Sequence, residues 1–184
     1  PVEFMCALLT AESGDADKIS AAISECRRMG INVLPPDINE GGIDFKIVKE
    51  EKSNEKKAIR FGLNAIKNVG KAAIEAILEG RNEGEFTSFS DFLYRVDGRR
   101  VNKKVLESLI KVGALSPFGN RATLLSVMDE IRGRVSKPKG PTNQQGLFLE
   151  DELKKSTKST NEVLAATEEF SDEEIQNLER MLLG

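Results

Sequence analysis

Between Gly62 and Val135, apolar residues recur at helical spacing in short blocks, and glycine repeatedly cuts the blocks off after a few turns. Leu63 to Lys67 reads as a short helix followed by Asn68-Val69-Gly70, and Ala73, Ile74, Ile77 and Leu78 form a second stripe that ends near Gly80. Phe89, Phe92, Leu93 and Val96 mark a connecting helix, with Ser88 or Ser90 as its cap. Asn102 precedes Val105, Leu106, Leu109 and Ile110, and that stripe stops at Lys111-Val112-Gly113. Asn120 then caps a helix with Leu124, Leu125, Met128, Ile131 and Val135 on one face. The order helix, apolar-Gly turn, helix therefore occurs twice. This restricts the chain to a mostly α fold built from short elements.

The flanks are of a different kind. Phe4, Met5, Leu8 and Leu9 predict a helix over Val2 to Thr10. Ile19, Ala22, Ile23, Cys26 and Met29 predict another, closed by Gly30. Asp15 and Asp17 stand at its start, where capping rather than metal binding is the expected role. Ile31 to Leu34 reads as a short strand stopped by Pro35-Pro36. Ile43, Phe45 and Ile47 alternate and pair with Ala58 to Phe61 as a hairpin, across a charged loop from Val48 to Lys57. Residues 136 to 146 shift to Ser, Lys, Pro, Gly, Thr, Asn and Gln, a flexible-linker composition, and a second polar tract runs from Lys154 to Thr160. Ser171-Asp172-Glu173-Glu174 is a capping box ahead of Ile175, Leu178 and Leu182, a stripe expected to lack a partner.

Chemistry is narrowed by what the chain lacks. Without His there is no Ser-His-Asp triad, no Cys-His pair and no His-ligated metal. Two cysteines, Cys6 and Cys26, make neither a zinc site nor a secreted disulfide framework and point to a reducing, cytosolic setting. No apolar run reaches the ~18 residues of a membrane span. Since the chain opens at Pro1 without Met and stops at Gly184 after Leu182-Leu183, a piece of a longer polypeptide is expected.

The net charge of −3 conceals a segregation: residues 1–55 carry −5, residues 56–140 carry +8 and residues 141–184 carry −6. A basic block between acidic flanks is suited to a polyanion. Glycine at position 70 lets backbone approach a phosphate, and the amides from Gly70 to Ala73 start a helix, where they have no partner within it. Lys67 and Lys71 flank that turn. In the second hairpin Gly113 and the amides after it, with Lys111, offer the same chemistry, and Arg99, Arg100, Lys103 and Lys104 lie on the connection between the two. Paired hairpins of this kind hold two backbone sites on a duplex without reading bases. The competing reading is a scaffold whose glycine turns are structural and whose binding element is an apolar island at Leu147-Phe148. An enzyme built on Asp15 and Asp17 is a third, disfavoured by their capping position and the absence of His.

Ile59-Arg-Phe-Gly-Leu63, Ile66-Lys-Asn-Val-Gly70, Phe89-Ser-Asp-Phe-Leu93, Arg95-Val-Asp97 and Asn102-Lys-Lys-Val-Leu-Glu-Ser-Leu-Ile-Lys-Val-Gly-Ala114 resemble the tandem helix-hairpin-helix region of the C-family replicative polymerases, the bacterial DNA polymerase III alpha subunits. Pro1-Val-Glu-Phe-Met5 and the stretch from Glu25 to Ile38 resemble the end of that family's fingers domain, and Phe170 to Gly184 the helix before its OB-fold. The resemblance implies the end of a fingers domain over 1–36, a small β connector over 37–62 and a tandem helix-hairpin-helix DNA-binding domain over 63–135. It further implies a flexible linker over 136–170 and a helix over 171–184 leading to an OB-fold. Asn68 stands where the family's hairpin usually has a glycine.

The implied partners are double-stranded primer-template DNA, the rest of the polymerase III chain and holoenzyme, and the sliding clamp, in the bacterial cytoplasm and with no membrane. Lys67, Asn68, Gly70, Lys71, Lys111 and Gly113 are the expected phosphate contacts. Gln144-Gln145-Gly146-Leu147-Phe148 is similar to the family's clamp-binding pentapeptide, with Leu147 and Phe148 filling a pocket and Gln144 orienting the peptide. No cofactor is expected in this segment; Mg2+ and the catalytic carboxylates of nucleotidyl transfer belong to other parts of such a polymerase.

Overall fold

The structure, a computed structural model, describes residues 1–50, 53–135 and 167–184, with the backbone alone at residues 50 and 53–56. Two N-terminal helices form where the stripes predict them. Helix α1 (Val2–Ala11) buries Met5 and Leu9, and α2 (Ala16–Arg28) buries Ile19, Ala22 and Cys26. Phe4 turns outward and is 68% exposed, because residues 5 and 9 stack over one another and position 4 falls on their flank. Asp15 caps α2, accepting the Lys18 amide at 3.2 Å, and Asp17 sits in the first turn, where its charge suits the helix dipole. Both carboxylates are accounted for by the helix start.

Strands β1 (Val33–Leu34), β2 (Lys46–Glu50) and β3 (Ser53–Arg60) form one sheet in the order β1-β3-β2. β1 runs parallel to β3 with Val33 opposite Ile59, and β2 runs antiparallel to it with Ile47 opposite Ile59. The expected loop from Val48 to Lys57 is corrected here: Val48 pairs with Ala58, Lys49 with Lys57 and Glu50 with Ser53. A ribbon whose sequence is charged at successive positions has no two-residue apolar period to announce it. Met5, Leu9, Ile19, Cys26, Ile31, Phe45, Ile59, Phe61 and Ala65 share one core, and the Phe45 and Phe61 rings lie 4.5 Å apart. The expected division at residues 36 and 37 therefore crosses a single packed unit of helices and sheet.

The second core belongs to the hairpin helices α3 (Lys71–Arg81), α4 (Phe89–Arg95), α5 (Lys103–Lys111) and α6 (Arg121–Val135). Ser88 caps α4, Asn102 caps α5 and Asn120 caps α6, each side-chain oxygen accepting the amide three residues on. Leu63 to Lys67, expected as a short helix, makes a single 3-10 turn over Leu63–Ala65, and the backbone is extended again at Ile66. The two cores are stitched by residues 37–41. Ile38 is buried in the second core and donates its amide to the Ala114 carbonyl at 2.8 Å; Arg81 donates to the carbonyls of Ile38, Asn39 and Gly41 at 3.2, 2.6 and 2.7 Å.

The last helix, α7 (Asp172–Leu183), starts with the expected Ser171–Glu174 capping box. Its stripe is not left without a partner: Leu182 enters the second core at 8% exposure and Leu183 packs against both cores. Thr167 to Phe170, expected as the end of a linker, are bonded to α6. The rest of the expected linker, the polar tract from Lys154 to Thr160 and the peptide from Gln144 to Phe148 lie outside the described residues.

Candidate nucleic-acid interface

The first hairpin turns at Asn68, which has φ +71 and is the one non-glycine residue with positive φ among the described residues. Asn tolerates this conformation better than most side chains. Its amide nitrogen also donates to the Ser108 hydroxyl on α5 at 3.1 Å, which ties the turn to the second hairpin. The left-handed residue is thus Asn68, while Gly70 has φ −83 and serves as the N-cap of α3. What glycine contributes at position 70 is space: a Cβ built there meets nothing within 4 Å.

Helix α3 begins without a side-chain cap and without an acidic residue in its first turn. Ala73 and Ile74 return their amides to the Gly70 carbonyl at 3.0 and 3.1 Å. Ala73 therefore drops out of the set expected to be open. Among the described residues, the amides of Gly70, Lys71 and Ala72 have no protein partner, and all three residues are exposed. Lys67 and Asn68 are exposed beside them, although the Lys67 amide itself donates to the Leu182 carbonyl at 2.9 Å. The Lys71 ammonium is 91% exposed and loosely paired, 3.9 Å from Glu75. Three unbonded amides thus stand at the positive end of a helix, next to two exposed lysines, and amides so placed are donors suited to an anion.

The second hairpin differs. Gly113 has φ +77, is buried, and donates its amide to Ile110 at 2.9 Å; Ala114 donates to Leu109 at 3.0 Å. That is a Schellman ending for α5, and it takes up the Gly113 and Ala114 amides among those that the sequence pattern offers to phosphate. A Cβ at Gly113 would come within 2.9 Å of the Arg121 guanidinium. A 3-10 turn over Ser116–Phe118 then separates the glycine turn from α6. The start of α6 is filled as well. Asn120 caps Thr123 at 2.7 Å, and the Glu169 carboxylate accepts from the amides of Arg121 and Ala122 at 3.0 and 3.2 Å. Gly113 is therefore corrected from an amide that meets an external anion to a buried helix terminus, and Lys111 is half-buried with its carbonyl holding Arg121 at 2.9 Å.

The four cations of the connection divide into two kinds. Arg100 is a tie, donating to Glu79 at 2.6 Å, Glu75 at 3.3 Å and the Ala72 carbonyl at 2.9 Å. Lys103 is paired with Asp129 at 2.7 Å. The Glu79 and Asp129 bonds raise the pKa values of Arg100 and Lys103, keeping both charged but neutralised by their neighbours. Arg99 and Lys104 are exposed, and among the described residues neither side-chain cation is ion-paired, although the Asp97 carboxylate accepts the Arg99 backbone amide at 2.8 Å.

Arg121 and Glu169 escaped the sequence reading. An Arg at the first position of a helix opposes the dipole, and that anomaly was the available signal. It is resolved by two carboxylates: Glu179 lies 2.6 Å from the guanidinium and Glu169 covers the helix start. Burial pushes the Glu169 carboxyl up, but the amides of Arg121, Phe170 and Ala122, with the Arg121 charge, more than offset it and hold its pKa below the ordinary value.

A family model described as the helix-hairpin-helix motif matches residues 30–124. Among curated proteins, the chain is similar to the DNA polymerase III subunit alpha of Thermus aquaticus, at 48% identity over 83% of this chain and 12% of that protein. The subunit of the same name from Campylobacter jejuni is 38% identical over 100% of the chain and 15% of its own length. That from Bacillus subtilis is 40% identical over 82% of the chain and 13% of its length. The chain spans about an eighth of the length of these relatives.

Proposed function

The chain belongs to the helix-hairpin-helix family, and from that premise we propose that it grips duplex DNA through backbone phosphates, as a segment of a replicative DNA polymerase III alpha subunit. The uncapped start of α3 carries the reading. Gly70, Lys71 and Ala72 present open amides, Asn68 sets the turn that aims them, and Lys67 and Lys71 supply charge on either side. A phosphate oxygen placed there satisfies donors that otherwise face water, in a bond between ion and amide that is stronger than a neutral one. Arg99 and Lys104 extend the cationic surface, Lys111 adds a half-buried charge, and Arg100 and Lys103 brace it. No base edge is read, so binding is independent of sequence.

A salt titration on a random-sequence duplex tests this. With Lys67, Lys71, Arg99 and Lys104 each displacing counterions, log affinity against log salt falls with a slope of about −3 to −4, at ~0.9 per phosphate. Replacing Lys67 and Lys71 together by Gln reduces that slope by about two. Gly70→Val fills the open space above the turn and weakens binding without unfolding the chain. Absence of salt-dependent binding at low ionic strength would refute the grip and favour the scaffold reading.

On the same reading Gln144, Leu147 and Phe148 dock on a sliding clamp, so that one segment both holds the duplex and tethers the polymerase. Leu147→Ala with Phe148→Ala then abolishes clamp capture and leaves the duplex titration unchanged. Nucleotidyl transfer, and the Mg2+ it uses, are assigned to other segments of a polymerase acting in the bacterial cytoplasm.

A further inference from the structure

Thr167 to Gly184 contact both hairpins at once. Thr167 donates its amide to the Thr123 hydroxyl at 2.9 Å, and its carbonyl accepts from the Asn120 side chain at 2.8 Å. Glu169 follows, with one carboxylate oxygen on the Arg121 amide and the other on the amides of Ala122 and Phe170 at 3.2 and 2.9 Å. Glu179 then neutralises the Arg121 guanidinium. At the far end Leu182 is buried in the hairpin core, and its carbonyl accepts the Lys67 amide from the first hairpin. Two acidic side chains of this segment are thus spent on the Arg121 guanidinium and the start of α6.

We propose that Thr167–Gly184 is an internal clasp that blocks the second hairpin from DNA, with the Glu169 carboxylate standing in for a phosphate, and that full engagement of a duplex requires the clasp to open. The inference rests on the reading of the hairpins as phosphate-binding elements. The two hairpins are then unequal in the resting state: the first is open, and the second is reached only when the clasp lets go. Because Glu169 is tethered to the same chain and anchored at Leu182, it is present at high effective concentration. A free monovalent anion at ordinary concentration competes poorly against it. A duplex already held by the first hairpin is itself tethered and offers a row of phosphates, so it competes on equal terms. The clasp thereby restricts the second contact to polyanions long enough to reach from one hairpin to the other.

The test is a duplex titration of the whole chain, followed both by affinity and by the backbone amide resonances of two groups. Gly70, Lys71 and Ala72 report the first hairpin; Arg121 and Ala122 report the clasp. In the wild type, a duplex long enough to span both hairpins shifts both groups, whereas inorganic phosphate leaves Arg121 and Ala122 in place. Glu169→Gln removes the surrogate charge and keeps its shape. It tightens duplex binding at low salt about fivefold and steepens the salt slope by about one, at ~0.9 per added phosphate. Glu173→Gln removes the same charge from an exposed position in the first turn of α7 and changes affinity less than twofold. If the Gly70 to Ala72 amides respond while those of Arg121 and Ala122 stay still, the clasp proposal is overturned and the duplex grip stands. The same holds if the Glu169 and Glu173 variants bind alike. If neither group responds and no variant binds with salt dependence, the duplex reading fails and the clasp proposal fails with it.

Discussion

Gly113→Ala separates a structural glycine from a binding one. Gly113 sits at φ +77, where an alanine costs ~1 to 2 kcal/mol of backbone strain. Its new Cβ would also stand 2.9 Å from the Arg121 guanidinium. A free arginine head would swing aside at little cost, but this one donates to the Lys111 carbonyl at 2.9 Å and to Glu179 at 2.6 Å in a half-buried position. Moving it loosens those bonds, at ~1 kcal/mol for the carbonyl bond and less for the partly solvated ion pair. The sum is ~2 to 3 kcal/mol of lost stability, read as a lower denaturant midpoint at unchanged slope. The matched variant Gly70→Ala faces open space at φ −83 and costs less than ~1 kcal/mol, mainly the poorer capping of alanine. Folded Gly113→Ala retains the wild-type salt slope on duplex DNA. A loss below about 0.5 kcal/mol for Gly113→Ala, or a flattened salt slope with unchanged stability, would refute the assignment of this glycine to the helix terminus.

Three further outcomes are expected. Asn68→Gly keeps the left-handed turn and loses the Ser108 bond, so unfolding free energy changes by less than ~1 kcal/mol and duplex affinity holds, while Asn68→Val, β-branched at φ +71, lowers both. Leu182→Ala opens space in the hairpin core and destabilises by ~2 to 3 kcal/mol in denaturant, which would be near zero if α7 were a loosely attached tail. Glu169, with its folded-state pKa depressed, contributes stability that is complete above its unfolded value of ~4.3 and lost as pH falls through the folded value. Protection of the Arg121 and Ala122 amides from hydrogen exchange, taken relative to the intrinsic rate at each pH, therefore falls on acidification below that range and is flat from neutral pH down to it.

Local signals in this chain were legible wherever the responsible atoms lie within a few residues of one another. Asp15, Ser88, Asn102, Asn120 and the Ser171–Glu174 box all cap the helices that their positions announce. A cap is a bond between neighbours in sequence, so no distant residue needs to be known. The ribbon from Lys46 to Arg60 was legible only in part, because its pairing is set by backbone bonds that a charged sequence does not reveal. The segment from Leu63 to Lys67 stops at one 3-10 turn for a related reason: the Lys67 amide, which a continued α-helix would give to the Leu63 carbonyl, is taken by the Leu182 carbonyl, a contact from across the fold.

The mostly helical class, the helix starts and the basic block can be read without the fold. All of these follow from spacing and from the intrinsic preferences of single residues. Which hairpin is open is set by packing across the whole chain. Gly70 and Gly113 read alike in one dimension, yet one ends in bare amides and the other lies under Arg121, beside amides bonded to a carboxylate 48 residues further along the chain. An unbonded amide depends on the absence of every possible partner. That is a property of the whole packed molecule, and no local stretch of sequence contains it.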